Sequence, residues 1–200
     1  MTTTQIPPTT TNDTTPEEPA PGLYGPRGWT TRTPLWYLLR TFPTQPVYQP
    51  DGSLLPGYLL TDGAPREEYV TFAGLTCEAA LDLLEWLPAQ ALEDRQNNGP
   101  TLRSLLRACA ASGDRLLLCG YGIGPQRSDE RVSVEALWLR DEDLGGYRVS
   151  PEHDAGCQCE SLWKVVAARY QLDAAAVPDE ILRMAPPWGG GESGWGFWWD

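Results

Sequence analysis

The last thirteen residues, Trp188 to Asp200, constrain this chain more than any other stretch. They read WGGGESGWGFWWD: four tryptophans, one phenylalanine, five glycines and two charged side chains, Glu192 and Asp200. Each ring buries about 150–250 Å² and yields at most about 4–6 kcal/mol, so five rings give roughly 20–30 kcal/mol when fully buried. Ordering thirteen residues costs on the order of 13–26 kcal/mol. The terms nearly cancel. Such a tail orders only where a good apolar groove receives it, on its own domain, on a partner or on a second copy. Gly189 to Gly191 form the tether, and Trp188, Trp195, Phe197, Trp198 and Trp199 are the candidate binding residues.

The opposite terminus reads differently. Eight of the first fifteen residues are Thr, and six prolines precede Gly28. Residues 1–33 carry too few apolar side chains to offset chain ordering, so a disordered Thr/Pro-rich arm is expected there. Tyr24 to Trp29, YGPRGW, either docks on the domain or stays free. Residues 34–187 then form a single domain, and residues 188–200 the Gly/Trp-rich tail.

Within 34–187 the patterns alternate between helix and strand. PLWYLLRTF, from Pro34, suits a buried strand or a short helix. PVYQPDGSLLPGYLL holds a Pro-Asp-Gly turn at residues 50–52 between apolar runs, a hairpin signal. EYVTFAGL reads as a strand. Ala80, Leu83, Leu84 and Leu87 recur at helical spacing, with Thr76 placed to cap and Pro88 limiting continuation. Leu102, Leu105, Leu106 and Cys109 define a second helix ended by Gly113. Residues 115–122 and 131–139 read as an antiparallel hairpin, and Gly145-Gly146 as a turn into a short strand. ESLWKVVAARYQL forms a third helix with Ser161 as its cap. In VPDEILRM, Pro178, Asp179 and Glu180 give a helix-start signature. The predicted class is α+β: an antiparallel sheet with hairpins, packed by about three helices.

YRVSPEHDAGCQCESLWKVVAARYQL, followed by PDEILRM, resembles part of the LysM modules, which run strand, helix, second helix, strand. The resemblance implies a small glycan-binding unit. The connection after the SLW helix is too short for the second helix, and the usual polar signature is absent.

Candidate chemistry is sparse. His153, Cys157 and Cys159 in EHDAGCQCE are all metal-ligand types, spaced H-x3-C-x-C. Zinc wants four tetrahedral ligands, usually with a pair two to four residues apart. One intervening residue is tight for joint chelation, and a fourth ligand must come from afar, such as Cys77 or Cys119. The competing reading is a surface loop with two free thiols. His153 is the one histidine, and Glu152, Asp154 and Glu160 around it disfavour a thiolate nucleophile. No cofactor is otherwise implied, and no catalytic residue is assigned. Asp141, Glu142 and Asp143 lack the spacing of a calcium loop. GYGIGPQRS lacks the lysine and the helix of a phosphate loop.

Net charge is −12. That balance opposes direct nucleic-acid binding and anionic membranes. Absence of a basic start, of a long apolar run and of an even cysteine framework predicts a cytoplasmic protein with reduced thiols. A single lysine, Lys164, among fifteen basic residues matches GC-rich coding, as in some bacteria, phages or mobile elements. The sequence therefore predicts a non-catalytic, protein-binding accessory or inhibitor-type protein. It would use its acidic surface and aromatic tail against another protein or a second copy. The alternatives are a small enzyme using carboxylates such as Glu67-Glu68 or cysteine chemistry, and an acidic DNA mimic.

Overall fold

A computed structural model describes residues 20–42 and 69–200 of the chain. The Pro-Asp-Gly hairpin, Glu67-Glu68 and residues 1–19 of the N-terminal arm lie outside the described residues.

Packing begins upstream of Pro34, which corrects the expected arm boundary. β1 (Pro21–Gly22) pairs with β2 (Gly25–Pro26), and a 3-10 turn follows at Trp29–Thr31. The fully buried Glu130 fixes this segment. Its carboxylate accepts from the Gly28 N–H at 2.7 Å, the Thr30 N–H at 2.9 Å and the Thr30 hydroxyl. Trp29 is buried as a result. PLWYLLRTF forms a helix, α1 (Leu35–Arg40), whose Leu35, Trp36 and Leu39 enter the core.

β3 (Tyr69–Leu75) and α2 (Cys77–Trp86) follow as their patterns predict. Thr76 occupies the N-cap position of α2 but its side chain makes no capping bond. After α3 (Ala89–Leu92) comes α4 (Leu102–Ser112), where the Thr101 hydroxyl accepts from the Ser104 N–H. Asp173 reinforces this end, accepting from the Thr101 N–H at 2.8 Å and the Ser104 hydroxyl at 2.6 Å. β4 (Leu116–Ile123) and β5 (Arg131–Leu139) are the expected hairpin. Tyr147 to Ser150 form no strand, contrary to expectation. The backbone there closes the base of an exposed loop instead. α5 (Cys159–Tyr170) starts after Gln158, so Ser161 lies inside the helix rather than capping it.

Two further strands complete the fold. Pro178-Asp179-Glu180 does not start a helix: β6 (Glu180–Met184) is extended. Five residues are too short a window for helical periodicity to compete with a sheet edge that supplies hydrogen-bond partners. β7 (Gly194–Trp198) is drawn from the tail. The five-stranded sheet runs β3-β4-β5-β7-β6, every pairing antiparallel. β7 therefore lies inside the sheet, with Leu137 of β5 and Ile181 of β6 flanking Phe197. The core gathers Phe72, Leu83, Leu106, Leu118, Leu137, Trp163 and Phe197 between one sheet face and the helices. This is an α+β fold. No helix among the described residues is long and apolar enough to cross a membrane.

Candidate functional site

The tail divides its rings between two faces because strand side chains alternate. Trp195, Phe197 and Trp199 are buried at 3%, 0% and 2% exposure. Trp163 of α5 stands 5.8 Å from the Phe197 ring and 5.4 Å, edge-on, from that of Trp199. The Trp195 indole donates to the Leu144 carbonyl at 3.1 Å, and the Arg183 guanidinium lies 5.6 Å from its ring. The groove these three fill is the chain's own. The Gly189–Gly191 tether has φ of 87°, 73° and 86°, a run of left-handed residues that side chains would resist. It turns the chain from Trp188 back into the sheet.

Trp198 points the other way and is 36% exposed. It shares its face with Ala136 and Trp138 of β5 and with Glu180, Leu182 and Met184 of β6, as the strand register requires. Gly196 leaves the space that the Met184 thioether occupies: a Cβ there would approach the sulfur to 2.7 Å. Trp188 closes one end. Its ring packs edge-on to Trp138 at 5.4 Å and lies over Gly74, whose φ of 82° and missing Cβ both suit the contact. The result is a groove of about 360 Å³ on the sheet face opposite the helices, reaching from Thr71 and Cys119 to Leu182 and Met184.

Its polar groups are few. Glu135 and Glu180 line it. Burial, and then the Asp200 charge, raise the Glu135 carboxyl above its ordinary range. Burial pushes the Cys119 thiol up to about 11, so this sulfur stays protonated at neutral pH. Trp198 is thus the tail ring that borders the groove, Trp188 is half-buried against Trp138 and Gly74, and Trp195, Phe197 and Trp199 hold the sheet together. The sequence did not mark Glu135, Trp138, Leu182 or Met184 for this site. Alternation of Glu180, Leu182 and Met184 in EILRM would have marked them, had β6 been read as a strand.

A second cluster sits in the loop before α5. The His153 Nδ1 lies 3.7 Å from the Cys157 sulfur and 3.4 Å from that of Cys159. All three ligand atoms fall within 4.8 Å of one another. Cys77 and Cys119, proposed from sequence as distant partners, do not join them. Backbone hydrogen bonding at Ser150, and then at Cys159, brings the Cys157 thiol down to about 7. Burial and the neighbouring Cys157 raise that of Cys159.

A third feature is a polar cavity of about 510 Å³ lined by Arg103, Arg107, Arg115 and Arg169. Its cations are largely engaged already. Arg103 pairs with Glu93 at 2.6 Å, Arg115 donates to the Ser112 carbonyl at 3.0 Å, and Arg169 pairs with Asp141. The same holds for many carboxylates elsewhere: Asp129 faces Arg127 and Arg131, and Asp154 faces Arg148. Comparisons with protein-family models, with curated proteins and with solved structures found no match to this chain.

Proposed function

We propose that this protein is a non-catalytic binding module whose contact surface is the uncovered sheet face. The carrying observation is the groove beside Trp198, Leu182 and Met184, each of which leaves a large apolar side chain 36–37% exposed. A cavity of this size admits one or two apolar side chains from another protein. Glu135 and Glu180 favour a basic residue beside that anchor, and the net charge of −12 favours a basic partner in general. An accessory or inhibitor-type role, of the kind that phages and mobile elements encode, is consistent with this chemistry. The tail serves the reading indirectly: through Gly196, Phe197 and Trp198 it builds one wall of the groove.

Neither alternative has comparable support. Acid–base catalysis wants two groups tuned apart in one cleft; the groove does hold two carboxylates, Glu135 and Glu180, but its lining is otherwise largely apolar, which favours an apolar anchor, and His153 belongs to a different loop. A DNA mimic needs carboxylates presented outward, whereas Asp129, Asp141, Asp154 and Asp173 face arginines of the same chain.

Photo-crosslinking residues placed at Leu182 in the groove, and at Leu81 on α2, test the proposal in the native host. Leu81 is 58% exposed and serves as the control. A partner crosslinked from position 182, not from 81, and lost on Glu180→Lys, is the expected result. Equal crosslinking from both positions, or none from 182, would overturn it.

A further inference from the structure

We propose that His153, Cys157 and Cys159 bind one zinc ion through His153 Nδ1 and the two sulfurs, leaving a fourth position open. This site is independent of the groove and of the function proposed for it. Tetrahedral zinc, with Zn–S of about 2.3 Å and Zn–N of about 2.0–2.1 Å, sets its sulfur and nitrogen ligands about 3.5–3.6 Å apart. The observed separations, 3.4 and 3.7 Å, bracket that value. Two sulfurs and an imidazole suit a borderline-soft cation and not magnesium or calcium, which take oxygen ligands.

The loop that carries these ligands has little else to hold it. Residues 151–156 are all exposed, so no buried apolar contact fixes their shape. The base is tied: the Gln158 N–H donates to the Arg148 carbonyl at 2.7 Å, and the Arg148 N–H donates to the Gln158 side chain at 2.8 Å. Arg148 also pairs with Asp154 at 2.7 Å. Within this frame His153 takes a left-handed backbone, φ 49°, which a residue with a Cβ adopts at a cost. That conformation places its ring beside both sulfurs across four and six residues of chain. A bound metal would supply the cross-link that the missing core does not.

The geometry also explains how a C-x-C pair participates. The two sulfurs do not need to close a small chelate unaided, because His153 and the turn at Asp154–Cys157 complete the third side. Cys109 donates to the Leu75 carbonyl beneath α4, and Cys119 faces the groove. Among the described residues no fourth ligand joins the three, and the fourth position is left to water or another donor. On binding, each thiol gives up its proton to solvent and zinc accepts the sulfur lone pair, with no change of oxidation state.

The full-length, reduced protein is titrated with Zn²⁺ in competition with a chromophoric chelator, and Co²⁺ serves as a spectroscopic substitute. One zinc per chain is expected, with a sulfur-to-cobalt charge-transfer band of the strength given by two thiolates. His153→Ala, Cys157→Ser and Cys159→Ser should each weaken retention by about 100-fold or more, while Cys77→Ser leaves it unchanged. Cysteine-to-serine changes are nearly isosteric and His153 is exposed, so native circular dichroism is expected for all four. If a variant fails to fold, the cobalt spectrum of the unaltered chain decides, since it requires no substitution. Loss of zinc to the chelator at equal concentration, a cobalt spectrum without thiolate character, or retention that survives Cys159→Ser would each overturn the site. Tight Cu⁺ uptake with Zn²⁺ excluded would also overturn it.

Discussion

Phe197→Ala should cost far more than Trp198→Ala, although the residues are neighbours and tryptophan is the larger side chain. Phe197 is fully buried between Leu137 and Ile181, with the Trp163 ring 5.8 Å away. Removing such a ring costs about 3–5 kcal/mol, from lost burial and the cavity left behind. Trp198 sits on the open face at 36% exposure, where its removal leaves no enclosed cavity and should cost less, about 1–2 kcal/mol. Against a total of about 5–15 kcal/mol for a domain, the first change brings the protein near its limit and the second does not. Urea unfolding followed by far-ultraviolet circular dichroism reads both. Equal costs, or a larger cost at Trp198, would refute the assignment of faces along β7. Truncation after Pro187 follows the same logic with larger numbers. Trp195, Phe197 and Trp199 together represent about 11–19 kcal/mol of gross burial, an upper bound that still rivals the whole stability. The truncated chain should not fold. A partner lost on deleting the tail would thus report unfolding rather than a tail-held contact.

Other consequences rest on single side chains. Glu130→Ala strands the Gly28 and Thr30 N–H groups and should cost about 2–4 kcal/mol, with faster tryptic cleavage at Arg27 and Arg32 as Trp29 undocks. Asp173 titrates below its usual range: burial opposes this, but hydrogen bonds from Ser104 and Thr101 outweigh it. Its stabilisation is present at neutral pH and fades as pH falls through the folded-state value, so Asp173→Asn should cost about 1 kcal/mol at pH 7 and progressively less below about pH 4. Glu135 has the opposite sign. Its raised carboxyl means the ionised form is disfavoured in the fold, so stability falls as pH climbs through that range. Glu135→Gln should stabilise the protein at pH 7, and the gain should vanish in acid; a variant less stable at pH 7 would contradict the assignment.

Local signals carried much of the fold. The Leu83–Leu87 and Leu102–Cys109 stripes, the hairpin between Leu116 and Leu139 and the strand at Tyr69–Leu75 all follow from short-range pattern. Long-range pairing was not legible. Pro178-Asp179-Glu180 is locally a helix start, and only β7, reached through a glycine tether, makes EILRM a strand. The same pairing hid the groove, whose walls come from β3, β4, β5, β6 and the tail. The tail composition announced a need for burial without saying which face each ring would take. The three ligand types at His153, Cys157 and Cys159 were visible, but the spacing argued against them. Their convergence depends on a left-handed residue and a loop tied at Arg148 and Gln158, neither of which a spacing rule contains.

Amide hydrogen exchange of the full-length protein, repeated across a dilution series, tests most directly that the tail is an internal strand of its own sheet. The amides of Leu137 and Phe197 should be protected alike, at the level of global unfolding, and independently of concentration. Rapid exchange at Gly194–Trp198 while β4 and β5 stay protected, or protection of the tail that disappears on dilution, would contradict it.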